Sequence, residues 1–116
     1  MAKIMIVDDE QEILSLLELF LTKNGFQVVK CPGGRSAIET VTADKAIDLA
    51  VLDRRMPDVD GSVVLEEIRK LNRGIPVILL TGSLGDQTRD LEVDDFLMKP
   101  IDLNELLEKV KKLLKT

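Results

Sequence analysis

The chain has 116 residues, 45% of them hydrophobic and 32% charged, with a net charge of −5, the balance of one ordered domain that buries roughly two-thirds of its extended-chain surface. The mild acidity is spread along the chain, so there is no basic footprint for nucleic acid or anionic lipid, and neither direct nucleic-acid binding nor membrane attachment is expected. A lone cysteine, Cys31, rules out an internal disulfide, no apolar run suits a bilayer span or signal peptide, and the absence of histidine excludes Ser-His-Asp triads, histidine-metal sites and phosphohistidine; a cytoplasmic location is expected.

Short β-type runs alternate with helical-period stretches. Lys3–Val7 (KIMIV) is continuously apolar after Lys3, as in a strand buried on both faces. Residues 11–25 (QEILSLLELFLTKNG) predict a helix with Ile13, Leu16, Leu17, Phe20 and Leu21 on one stripe and a Lys-Asn-Gly stop. A weaker strand follows over 26–31, in which Cys31 reads as a small half-buried hydrophobe at the strand end. Pro32-Gly33-Gly34 is a turn, and Ala37, Ile38 and Val41 mark a short second helix. The third strand is expected over Asp48–Leu52, and the third helix over about 62–71, with Val64, Leu65, Ile68 and Leu71 inward. Ile75–Leu80 is the fourth strand and Asp94–Met98 the fifth. The last helix is the best patterned, with Leu103, Leu106, Leu107, Val110, Leu113 and Leu114 on one face, Asp102 or its neighbour as cap, and lysines in its final turn.

Five strands alternating with helices imply a parallel sheet joined by right-handed crossovers and covered on both faces. Ligands bind such open sheets at the carboxyl ends of the strands. Strand one ends in Asp8-Asp9-Glu10, strand three in Asp53, strand four in Thr81 and strand five in Lys99-Pro100. Carboxylates, a hydroxyl and an ammonium thus converge on one rim. The carboxylates repel one another unless a cation sits among them, and a hard divalent ion, Mg²⁺ above all, suits oxygen ligands. With it, Asp53 is placed to act as an oxygen nucleophile towards phosphorus, while Lys99 and Thr81 neutralise phosphoryl oxygens. Met56-Pro57 turns the chain away behind Asp53, and Gly61 supplies flexibility before the next helix. Each residue alone has a plainer use: helix cap for Asp8, Asp9 and Glu10, turn residue for Asp53 and Thr81, surface charge for Lys99, helix start for Pro100. Their joint placement on four strand ends favours the functional reading.

The pieces IMIVDDE, CPGGRSAIE, LAVLDRRMPDVDG, PVILLTG and DDFLMKPID closely resemble the receiver domain of two-component response regulators across the chain. The resemblance implies a flavodoxin-like doubly wound α/β fold, a five-stranded parallel sheet in the order 2-1-3-4-5 with helices on both faces, as one domain spanning residues 1–116. It implies that Asp53 accepts a phosphoryl group from a sensor histidine kinase or phosphotransfer protein. Asp9, Asp53 and the backbone carbonyl of Arg55 would hold Mg²⁺, with Asp8 acting mainly through water. Lys99 and Thr81 would contact the phosphoryl group. Thr81 and Phe96 would form a switch that reshapes the face read by a downstream protein, a two-state element biased by new charge-assisted hydrogen bonds. Phe96 reads equally as a core residue.

From Thr81 to Lys99 is 18 residues, about one helical turn shorter than the family pattern. The helix expected there, the fourth in chain order, is therefore short or irregular. Of the unusual Arg54-Arg55 pair, Arg54 is expected in solvent and Arg55 is open between solvent and the phosphoryl group. The leading expectation is a switch that catalyses its own phosphorylation and slow dephosphorylation, with a phosphodonor as its sole substrate. The alternative is a receiver-fold interaction module that is not phosphorylated. An aspartyl phosphohydrolase is disfavoured, because its general acid–base carboxylate two residues after the nucleophile is here Arg55.

Overall fold

The continuous apolar runs become strands of one parallel sheet, and the amphipathic stretches become its two covering layers. The computed structural model describes residues 1–82 and 92–115. Within them the chain runs β1 (Lys3–Val7), α1 (Gln11–Lys23), β2 (Gln27–Cys31), α2 (Gly34–Ala43), β3 (Leu49–Asp53), α3 (Gly61–Lys70), β4 (Val77–Thr81), β5 (Asp95–Met98) and α4 (Leu103–Leu114). The sheet order is β2-β1-β3-β4-β5, all neighbours parallel, the doubly wound order expected. The short or irregular helix expected between Thr81 and β5 falls on residues 83–91, outside the described residues.

Burial follows sheet position. β3 and β4 are buried at every residue, as central strands with helices on both sides must be. The edge strands β2 and β5 are only partly buried. One core cluster joins Met5, Ala50, Leu52 and Leu79 to Ala37 and Val41 of α2 and Val64 and Ile68 of α3. The other joins Ile4, Val51, Ile78 and Leu80 to Leu14, Leu17 and Leu21 of α1 and Leu106 and Val110 of α4. Alternate residues of each central strand thus feed opposite layers.

Several boundaries differ from expectation. On α1 the inward line is Leu14, Leu17 and Leu21, while Leu16 is 49% exposed. Leu17 lies on the Leu14–Leu21 line and Leu16 is a further 100° around the helix, beyond Ile13 and Phe20, which flank the core. Leu71 falls at the C-cap of α3 rather than inside the helix, and is half-buried against the core as expected. Cys31 is fully buried, not half-buried. β3 starts one residue later than expected, after Asp48, whose carboxylate accepts from the Lys3 backbone N–H at 2.8 Å, and it includes Asp53, which lies opposite Leu80 of β4. Asp102 caps α4 as expected, accepting from the Asn104 and Glu105 N–H groups.

The loop between β3 and α3 serves two helices. Asp60 caps α3 by accepting from Ser62 N at 3.0 Å. Asp58 accepts from Gly34 N and Arg35 N, both at 3.1 Å, and so caps α2, whose own cap residue Gly33 has no side chain to offer. Gly61 is required for closeness rather than for the flexibility expected. Its N–H donates to Arg54 O at 2.7 Å, and a Cβ there would stand 2.4 Å from the Asp53 carbonyl oxygen. Gly61→Ala is therefore expected to cost about 2 kcal/mol or more, read as a lower urea midpoint with an unchanged slope.

Candidate functional site

Sheet register brings the polar groups together. Val7 of β1 lies opposite Leu52 of β3, so the following residues, Asp8 and Asp53, are neighbours. Asp53 lies opposite Leu80 of β4, and Thr81 opposite Met98 of β5, with Lys99 next in chain. Lys99 N–H donates to the Thr81 carbonyl at 2.9 Å, which fixes the base of the lysine beside β4. The Lys99–Pro100 peptide is cis.

Among the described residues, Asp8, Asp53 and Thr81 are the buried polar ones, at 1%, 4% and 1% exposure. Asp9 is exposed beside them, and carboxylate oxygens of Asp8, Asp9 and Asp53 lie within 4.8 Å of one another. Lys99 turns inward. Its Nζ is 3.2 Å from Asp8 Oδ2, 3.3 Å from Asp53 Oδ1 and 3.7 Å from Glu10 Oε1. Asp8 uses its other oxygen to accept from the Glu10 backbone N–H at 2.9 Å. Asp8 Oδ2, although within ion-pair distance of Lys99, takes no aligned hydrogen bond.

Burial, followed by the charge of Asp8, pushes the Asp53 carboxyl up to about 6, against the pull of Lys99. Burial alone would lower Lys99, but Asp53 and Asp8 outweigh it and hold the ammonium above its ordinary value. One cation therefore does not neutralise the group. A buried carboxylate oxygen without a hydrogen bond, amid hard oxygen donors and excess negative charge, fits a divalent cation such as Mg²⁺.

The remaining predicted positions are mixed. Phe96 lies in β5 opposite Leu79 and is half-buried, packed on the core cluster of α2 and α3. Arg55 is exposed at the loop. Arg54 is not in solvent: its side chain is 13% exposed, with Nε 3.8 Å from Asp60 Oδ2. It continues the β3 ladder by donating its N–H to Leu80 O, which points its side chain towards the start of α3. Asp58 has no counterpart among the sequence-derived candidates. Its signal was a Gly-Gly helix start lacking a cap and an unassigned aspartate in the neighbouring loop.

The sequence matches the response regulator receiver domain family over residues 4–111. The chain belongs to that family. Among curated relatives it is 42% identical over 113 residues to the regulatory protein VanRc of Enterococcus gallinarum, covering 94% of this chain and 48% of that protein. It is 36% identical over 117 residues to the transcriptional regulatory protein PrrA of Mycobacterium tuberculosis, covering 97% and 50%. The chain thus spans about half the length of these relatives. Among solved structures, the CheY-like receiver domain protein of Methanospirillum hungatei JF-1 superposes with a TM-score of 0.90 at 31% identity, over 99% of this chain and 95% of that one. TrrA of Thermotoga maritima, solved in complex with Mg²⁺ and BeF, gives 0.88 at 35% identity, over 97% and 99%.

The raised Asp53 value makes a pH-dependent stability prediction. A carboxyl whose folded pKa exceeds its unfolded one contributes stability that is full below the unfolded value, near 4, and lost as pH rises through about 6. In chelator, Asp53→Asn should therefore gain on the wild type between pH 4 and 7, by up to about 3 kcal/mol. Urea unfolding of both proteins across that range measures the difference, and a flat difference would show that Asp53 ionises as an ordinary surface carboxyl.

Proposed function

We propose that this receiver domain is a phosphorylation-dependent signalling switch that takes a phosphoryl group on Asp53. The observation that carries this reading is the Asp53 carboxylate, buried at the end of a central strand, 3.3 Å from the Lys99 ammonium and inside the carboxylate cluster with Asp8 and Asp9. In the step proposed, an Asp53 carboxylate oxygen attacks the phosphorus of a donor. The bond from phosphorus to the donor's nitrogen or acyl oxygen breaks, and the donor leaves with the electron pair.

Lys99 neutralises developing charge on the phosphoryl oxygens, and the buried Thr81 at the end of β4 offers its hydroxyl from the next strand. Asp9, Asp53 and the Arg55 backbone carbonyl would hold Mg²⁺, with Asp8 behind them. When bound, the ion supplies charge neutralisation for the acidic group and the phosphoryl oxygens. Hydrolysis of the resulting acyl phosphate resets the switch, so the domain turns over its own phosphoryl group and no separate substrate. Phe96, on the strand next to Thr81, is the proposed relay to the surface that a downstream protein reads. The donor in this reading is a sensor histidine kinase or phosphotransfer protein, and the setting is cytoplasmic. No helix among the described residues is long and apolar enough to cross a membrane.

Incubation with Mg²⁺ and acetyl phosphate should add the mass of one phosphoryl group to the intact wild type and none to Asp53→Ala. An unlabelled wild type, beside a control receiver that labels, would leave an interaction module in place of a switch. Mg²⁺ alone should raise the melting temperature by binding the folded state preferentially, and Asp53→Ala should shrink that shift. Melting unmoved by millimolar Mg²⁺ would count against the cation site.

A further inference from the structure

Glu10 occupies the N-cap position of α1 with extended backbone (φ −90°, ψ 112°), yet its side chain makes no capping hydrogen bond. Glutamate is a poor cap compared with Asp, Asn, Ser or Thr, which reach their own helix N–H groups. The Asp8 carboxylate instead grips the Glu10 backbone N–H. The freed Glu10 side chain, 61% exposed, places Oε1 3.7 Å from Lys99 Nζ. The ammonium is thus shared by three carboxylates, two buried ones and this one at the surface.

We propose that Glu10 is a positioning residue that tethers Lys99 on the solvent side of Asp53 and thereby slows capture of a phosphoryl group. The inference rests on the phospho-acceptor reading above. Asp8 and Asp53 hold Lys99 where it faces an incoming phosphoryl oxygen. Glu10 draws it outward, and the ammonium must leave that partner before it serves the reaction. An exposed pair at this distance changes an equilibrium by a factor of about two to five, so the tether sets a rate without deciding whether the reaction occurs.

Labelling by acetyl phosphate at saturating Mg²⁺ is compared in wild type, Glu10→Gln and Glu10→Asp, beside the melting temperature of each. Aspartate keeps the charge and caps the helix better, but is one methylene short of Lys99. Both variants should label about two- to fivefold faster than wild type at low salt. The gap should close at high salt, where screening frees Lys99 in the wild type too. Glu10→Asp should melt no lower than wild type. A Glu10→Gln rate equal to wild type, a Glu10→Asp rate equal to wild type, or rates that follow melting temperature would each overturn the tether. If the wild type does not label at all, the phospho-acceptor reading falls, and the tether is then judged on the Lys99 ε-methylene NMR resonance. That signal should shift in Glu10→Gln, and an unmoved signal would overturn the contact itself.

Discussion

The site depends on placing two carboxylates, Asp8 and Asp53, out of water within reach of a single ammonium. Attraction between Lys99 and either carboxylate is worth roughly 4–5 kcal/mol gross at an effective dielectric of about 20. Removing each ion from water costs several kcal/mol in return. These opposing quantities are of similar size, and Asp8–Asp53 repulsion tips the total against the fully ionised group. The upward displacement of Asp53 expresses that imbalance. A group held so close to neutrality of free energy responds strongly to any added charge, whether a cation among the carboxylates or a phosphoryl group on one of them.

The parallel sheet makes the arrangement affordable. Fully buried β3 and β4 fix their carboxyl ends with backbone ladders that no side-chain charge easily displaces. Because neighbouring strands end level, residues far apart in sequence meet without any loop having to search for the geometry. The helices of both layers then cover the strands behind these ends, packing on Leu52 and Leu79 on one face and on Ile6 and Leu80 on the other.

Much of this was legible beforehand, for identifiable reasons. Continuous apolar runs at Ile4–Val7 and Leu49–Leu52 mark central strands because no other element of that length is buried on both sides. Strand-end polar residues then follow from topology alone, which is why Asp8, Asp53, Thr81 and Lys99 were recognisable. Side-chain direction was harder to read. Leu16 and Leu14 are the same residue type two positions apart, and composition does not tell which one faces the sheet. Arg54 looked like a solvated charge, but its backbone remains in the ladder with Leu80, and the alternating pleat carries the side chain inward. Its Nε and Nη1 are buried without hydrogen bonds, a cost hydropathy patterns do not register. Asp58 was invisible because its partner amides lie on another helix, 24 residues away for Gly34.

That long-range cap has a consequence for anyone rebuilding this architecture. The short stretch Asp58–Asp60 starts two helices in different parts of the chain, so the loop between β3 and α3 is not a separable cassette. Transplanting it into another sheet would strand Asp58 without its amides and leave the recipient's second helix unbegun. Lengthening it by one residue would force a choice between the two helices. A designer must move the first turn of α2 together with the loop, or supply that helix with a serine or threonine start of its own.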